Sequence, residues 1–434
     1  MKRVTTMLWG AGLLSLSLAL TGAEAQRVRD YALSGAALVR QSTGLNNPYT
    51  LLRRPEARMI ASAALEGPLS EERVAALLRG SEVQIDNLLE TSVLRRNPDG
   101  TYGLAMTVLT VEDRELIDRV SDPMGRSLAE AFLGERAAFD RILSRYDLDG
   151  VDPAMVRMAL IGCVVLDWDG LRVTAEQNYR SRPVPRANGD RYQMVLRERA
   201  PHISERALYW GSHNNSTAGD TIWMTTFGDQ MRGTKRVAFP DLTGIIEGPD
   251  LQAHAPPPVA AFMAETLSAG LEASQQTAGR IMIALRAGPA NAAALAAAAQ
   301  QPLERVQRVL DLLAALLYVE LRDGRYRAAV PVFTFDRDGA MIAEYRALGQ
   351  RVIRDWLAAN YGRIQQQLSS LAALRAGVPY RTMFTELWHP IFGWANYHLV
   401  REGYLHDPNG PNPRFVGFVP FVWDAQLRLQ SFYD

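Results

Sequence analysis

The sequence has little with which to staple, charge or anchor itself. A single cysteine, Cys163, stands among 434 residues, so an intramolecular disulfide is impossible. It lies between apolar neighbours in MALIGCVVLDW, the setting of a buried small hydrophobe rather than of a nucleophile. Formal net charge is zero, which excludes a global field drawing the chain to nucleic acid or to an anionic membrane. Only Lys2 and Lys235 of the 47 basic residues are lysine. Together with abundant alanine this reads as the codon bias of a GC-rich genome, so an arginine at any one position carries little information. There is no HExxH, no Gly-x-Ser-x-Gly elbow and no recognised metal-ligand spacing, and no cofactor is called for. Beyond the first 25 residues no uncharged run approaches the roughly 20 residues of a spanning helix.

What is present begins with a leader. MKRVTTMLWGAGLLSLSLALTGAEAQ has a basic start at Lys2 and Arg3, an apolar stretch from Met7 to Leu20, and Ala23-Glu24-Ala25 ahead of Gln26. That is the grammar of a secretory signal, and we expect cleavage after Ala25 and export to the periplasm or beyond. The apolar stretch is short for a spanning anchor. At 47% apolar and 22% charged residues the remainder has the balance of a globular chain, with length for two to four domains.

Two stretches match across the chain. VLRRNPDGTYGLAMTV (93–108) aligns with LYVELRDGRYRAAVPV (317–332) at an offset of 224, placing Asp99-Gly100 on Asp323-Gly324, Tyr102 on Tyr326 and Thr110 on Thr334. Upstream, Leu65-Glu66-Gly67-Pro68 aligns with Arg286-Ala287-Gly288-Pro289 at an offset of 221. We read an internal duplication. In each repeat a helix (Glu56 to Leu65; Thr277 to Arg286) stops at Gly-Pro, because glycine suits a helix end and proline cannot continue it. A second helix follows, Ser70 to Leu78 with Ser70 as N-cap, or Asn291 to Gln300. A third carries Val83, Ile85, Leu88 and Leu89, or Leu303, Val306, Leu310, Leu313 and Leu317, on one face. It runs into two strands joined at Asp-Gly, whose glycine adopts positive φ without strain. After each hairpin comes a long helical stretch, Glu112 to Arg145 and Gly339 to Leu374, the latter broken only by Gly349 and Gly362 and dotted with Arg346, Arg351, Arg354 and Arg363. The expectation is a solvated amphipathic helix closing each module; the alternative is a helix that pairs two subunits in a homodimer.

Three helices and a hairpin ending in D-G-x-Y resemble the winged helix-turn-helix domain of IclR-type and MarR-type bacterial regulators, over about 60 residues of each half. The resemblance implies a third helix for the major groove and arginine contacts to phosphate. The residues at those places do not suit that use. SEVQIDNLLE carries Glu82, Asp86 and Glu90 and no base, and QQPLERVQRVLD sets Arg305 and Arg308 against Glu304 and Asp311. Arginines are present in both wings (Arg95 and Arg96; Arg322, Arg325 and Arg327), but arginine is this chain's default cation.

Between the repeats, MVRMALIGCVVLDWDG reads as a helix or a buried strand, and RYQMVLRE, ERALYWGS, DTIWMTTFGD and TKRVAFPDL read as strands of a small antiparallel sheet. Gly211-Ser-His-Asn-Asn-Ser-Thr is the most site-like loop, and His202, His213, Asn214, Asn215 and Asp220 are the candidate ligand-binding residues, with imidazoles able to bind metal or move protons. His389 and His398 sit nine residues apart among Trp388, Phe392 and Trp394, which look like core. The resulting expectation is an α+β, mainly helical chain. It comprises a signal (1–25), a winged-helix-like module (26–150), a strand-rich region (151–253), a proline-rich linker containing HAPPPV (254–276), a second module (277–376) and an extension (377–434) whose Phe/Val-rich end docks as a strand. The function expected is non-catalytic binding of a protein or envelope component, or scaffolding. Its rivals are a DNA-binding regulator with an uncleaved N-terminus and a hydrolase or metal-dependent enzyme using residues 202–229.

Overall fold

A computed structural model describes residues 31–39, 42–148, 150–182, 190–199, 211–217, 221–228, 271–408, 410 and 417–430. The leader, the HAPPPV segment, His202 and Asp220 lie outside the described residues. The chain is α+β and mainly helical, with small sheets.

The first repeat follows strand β1 (Tyr31–Val39) and a short helix α1 (Pro48–Leu51). Its helices are α2 (Pro55–Glu66), α3 (Glu71–Leu77) and α4 (Ile85–Glu90). Pro55 opens α2 at a position where its missing N–H costs nothing, and Gly67-Pro68 ends it. Ser70 caps α3 by accepting the Arg73 N–H at 3.2 Å, and Asn87 caps α4 by accepting the Gln84 N–H at 2.8 Å. Strands β2 (Leu94–Arg96) and β3 (Tyr102–Leu104) form the hairpin, and β4 (Thr107–Leu109) leads into α5 (Val111–Gly134) and α6 (Arg136–Leu143).

A middle region follows with α7 (Pro153–Arg157), a π-helix (Met158–Asp169), α8 (Gly170–Glu176), β5 (Arg191–Glu198), β6 (Ser212–Thr217) and β7 (Ile222–Gly228). The second repeat has α9 (Leu271–Leu285), α10 (Ala292–Ala299) and α11 (Leu303–Ala315), then the β8 (Val319–Arg322) and β9 (Arg325–Ala328) hairpin. Next come β10 (Val332–Phe333) and the 33-residue α12 (Phe335–Gln367). Helices α13 (Ala372–Arg375) and α14 (Tyr380–Arg401) and strand β11 (Phe418–Asp424) complete the chain.

The two repeats agree in detail. The residue after each Gly-Pro pairs with the tyrosine of D-G-x-Y: Leu69 and Tyr102 exchange backbone bonds of 2.9 and 2.8 Å, and Ala290 and Tyr326 exchange bonds of 3.0 and 2.8 Å. The helix after each hairpin is tied to its threonine by an aspartate. Asp113 accepts the Thr110 N–H at 3.1 Å and Asp338 accepts that of Thr334 at 2.8 Å. The hairpin turns differ. Asp323 and Gly324 both have positive φ, as the two-residue turn needs, whereas only Gly100 does in the first repeat, where the Asn97 carbonyl accepts the Gly100 N–H at 3.0 Å in a longer loop begun by Pro98. On α11, Val306, Leu310 and Leu313 are buried as expected, but Leu303 at its start and Leu317, two residues past its end, are exposed.

Of the two readings of the apolar middle segment, helix or buried strand, the helix holds: MALIGCVVLDWD is helical and all twelve residues are buried, so it forms a central rod. One expectation is corrected: the described strands of the middle region do not form one antiparallel sheet, while TKRVAFPDL and all of ERALYWGS but Gly211 and Ser212 lie outside the described residues. β5 lies between β1, antiparallel, and β4, parallel; β6 and β7 join the order β10-β11-β7-β6, in which β10 runs parallel to β11. The C-terminal strand does dock, at the interior of that sheet, with Phe418 to Trp423 all buried and Trp423 stacked on Trp223 at 5.7 Å. Helix α12 is amphipathic, as expected: Met341, Tyr345, Leu348, Val352, Ile353 and Trp356 are buried while Glu344, Arg351, Asp355 and Arg363 are exposed, and neither Gly349 nor Gly362 interrupts it.

Glycine sets two of the closest crossings. A Cβ on Gly125 of α5 would lie 2.3 Å from Trp394 Cβ on α14, and one on Gly349 of α12 would lie 2.4 Å from Val165 Cγ1 on the π-helix. The π-helix thus sits against α12, α14 and strands β7 and β11 within one continuous apolar core that includes residues of both repeats.

Candidate functional site

The stretch expected to be a site-like loop is strand β6. His213 pairs with Thr226, Asn214 with Thr225 and Asn215 with Met224. Residues 212–217 are thus an extended strand paired along its β7 side, and the loop reading of 211–217 is corrected. Asn214 takes part in a chain of side-chain hydrogen bonds: Trp423 Nε1 donates to Thr225 Oγ1 at 2.9 Å, and that hydroxyl donates to Asn214 Oδ1 at 2.6 Å. His202 and Asp220 lie outside the described residues. Among the described residues no group of three or more His, Cys, Asp or Glu side chains is placed to hold a metal ion.

The outward surfaces of the repeats are better defined. Along α4 and the residue turn before it, Val83 and Leu88 are buried while Glu82, Asp86 and Glu90 are exposed. Glu82 meets Arg54 at 2.9 Å on the surface, a contact of little energetic consequence there. On α11 the basic groups are tied down locally. Arg308 contacts Glu304 at 2.8 Å one turn earlier, and Arg305 donates to Gln301 at 2.9 Å. In the hairpins Arg95 donates to the Leu104 carbonyl, Arg96 to the Tyr102 hydroxyl at 2.7 Å, and Arg322 contacts Glu320 at 2.7 Å, while Arg325 stands exposed. Among the described residues the exposed large apolar side chains, Leu303, Leu317, Leu321 and Phe335, each between 43% and 57% exposed, all belong to the second repeat.

Sequence reasoning missed the buried charges. Asp169, at the end of the π-helix, accepts two bonds from Arg346 of α12 at 2.9 and 2.7 Å and a third from Arg172 at 3.1 Å. Arg346 was conspicuous only as one arginine in a long helix, and nothing in its local sequence points to a partner 177 residues away. Asp167 is buried two residues earlier, and burial pushes its carboxyl up to about 7. Burial, reinforced by that carboxylate, also pushes the Cys163 thiol well above its ordinary value, so the thiol is inert as expected. On α14, Glu386 pairs with Arg197 of β5, and His389 donates from Nδ1 to the Thr385 carbonyl at 2.7 Å. Burial lowers the His389 imidazole below the ordinary range. His398 meets Asp122 of α5 at 2.7 Å.

No protein-family model matches the chain, and neither a curated protein nor a solved structure shows significant similarity to it.

Proposed function

We propose that this chain is an exported, non-catalytic binding or scaffold protein, in which two winged-helix-like modules present surfaces to a protein or envelope component. The observation that carries this reading is the composition of the third-helix surfaces. A helix that tracks phosphate must present cations, since neutralising phosphates supplies most of the affinity of such domains. Here α4 presents Glu82, Asp86 and Glu90 to solvent, and the exposed Arg308 of α11 is matched by Glu304. The four exposed apolar side chains of the second repeat suit contact with a partner surface better than contact with a charged backbone. Winged helices serve as interaction modules as well as DNA readers, because a fold does not fix its use. The N-terminal leader grammar supports a working place outside the cytoplasm. Among the described residues no helix is long and apolar enough to cross a membrane.

Fluorescence anisotropy with a labelled random-sequence duplex, read across a salt series, tests the exclusion of nucleic acid. The expected result is no saturable binding even at low salt. Micromolar binding that weakens steeply with salt would overturn the proposal in favour of a regulator.

A further inference from the structure

The duplication supplies an internal control for the hairpin surfaces. In each hairpin the tyrosine of D-G-x-Y has a residue directly across from it on the same side: Arg96 faces Tyr102, and Leu321 faces Tyr326. In the first repeat the tyrosine is covered, because the Arg96 guanidinium donates to its hydroxyl at 2.7 Å and lies 5.2 Å from the ring centre. In the second repeat a leucine that is 57% exposed stands in the place of that arginine, and the Tyr326 hydroxyl accepts a bond from Gln307 of α11 at 2.9 Å. Leu303, 51% exposed, precedes Gln307 by one helical turn and shares its face of α11. The Gln307–Tyr326 bond therefore has one exposed leucine on its helix side and another on its hairpin side.

The charges around this apolar patch favour one kind of partner. Glu304 and Arg308 pair at 2.8 Å and Glu320 and Arg322 at 2.7 Å, so the rim neutralises itself and selects no partner of a single sign. At the tip of the hairpin Asp323 and Arg325 are both exposed, and neither makes an ion pair among the described residues. A surface with both signs side by side is complementary to itself about a two-fold axis, each aspartate meeting the arginine of the other copy. The exposed face of α4 has no such property, since Glu82, Asp86 and Glu90 would be set against their own kind.

We propose that a second copy of this chain covers the patch, the third helix and hairpin of the second repeat packing on their two-fold mates with Leu303 and Leu321 at the centre. This rests on the reading of the modules as protein-binding surfaces and names the partner of one of them. Sedimentation velocity of the full chain, over a dilution series reaching about 50 μM, tests it. The expected result is a dimer that dissociates on dilution. Leu303→Glu and Leu321→Glu should each weaken it about tenfold or more, and Arg325→Asp, which sets like charges face to face, should do the same. All three side chains are exposed, so the variants should keep the parent's far-ultraviolet circular dichroism. Asp86→Arg, on the exposed face of α4, should leave the dimer unchanged. A chain that stays single at the highest concentration, or a dimer indifferent to both leucine substitutions, would overturn the proposal. Either result leaves the nucleic-acid test of the modules untouched, so the two readings fail separately.

Discussion

Asp167 places a carboxyl on a π-helix whose twelve residues are all buried. Burial moves its titration from 3.8 to about 7, because a charge there gives up its hydration. A raised carboxyl pKa means that the folded state holds a proton that the unfolded chain releases. Its stabilising contribution is therefore complete below pH 3.8 and is lost as pH rises toward 7. Asp167→Asn removes that dependence. Measured by urea unfolding, the variant should gain on the parent between about pH 4 and about pH 8, by on the order of 3 kcal/mol. A gap that stays constant with pH would show that Asp167 ionises freely in the folded chain. His389 acts in the opposite sense. Burial lowers its imidazole, so its contribution is present above the ordinary histidine range and is lost as pH falls below it.

Among the elements, the helices packed at glycine are the most demanding. At Gly125 a methyl group would meet not only Trp394 Cβ but the Ile391 carbonyl oxygen at 2.7 Å, and a backbone atom of a packed helix cannot step aside. Gly125→Ala should cost about 2 to 3 kcal/mol by forcing α5 and α14 apart. Gly362, in α12, has nothing within 4 Å of its notional Cβ, so Gly362→Ala should instead stabilise by about 0.5 to 1 kcal/mol. Thermal unfolding of the two variants, with melting temperatures displaced in opposite directions, checks both. Most of these elements were legible because each is specified locally: Gly67-Pro68 ends α2, Ser70 caps α3, and the Asp-Gly turns place both hairpins. The misreadings share a different cause. SHNNST is polar and carries no strand signal, and it becomes β6 because β7 and β11 supply the pairing. Similarly, Asp169 and Arg346 meet only through the packing of α12 on the π-helix, a contact that no local pattern encodes.

At the scale of the molecule, two repeats of the same plan are held around one core. The π-helix of the middle region lies against α12 of the second half, α5 packs on α14 of the extension, and β11 returns from the C-terminus to lie between β7 and β10. The apolar faces expected to close each module separately are spent on this shared interior. What the repeats leave outside is an acidic third helix on one and exposed apolar side chains on the other. That division fits a protein whose surfaces meet partners, in a compartment where no chromosomal DNA competes. Cell fractionation followed by N-terminal sequencing of the native protein tests this most directly. The account predicts a chain beginning at Gln26 outside the cytoplasm; an intact Met1 in the cytoplasmic fraction would contradict it and restore the regulator reading.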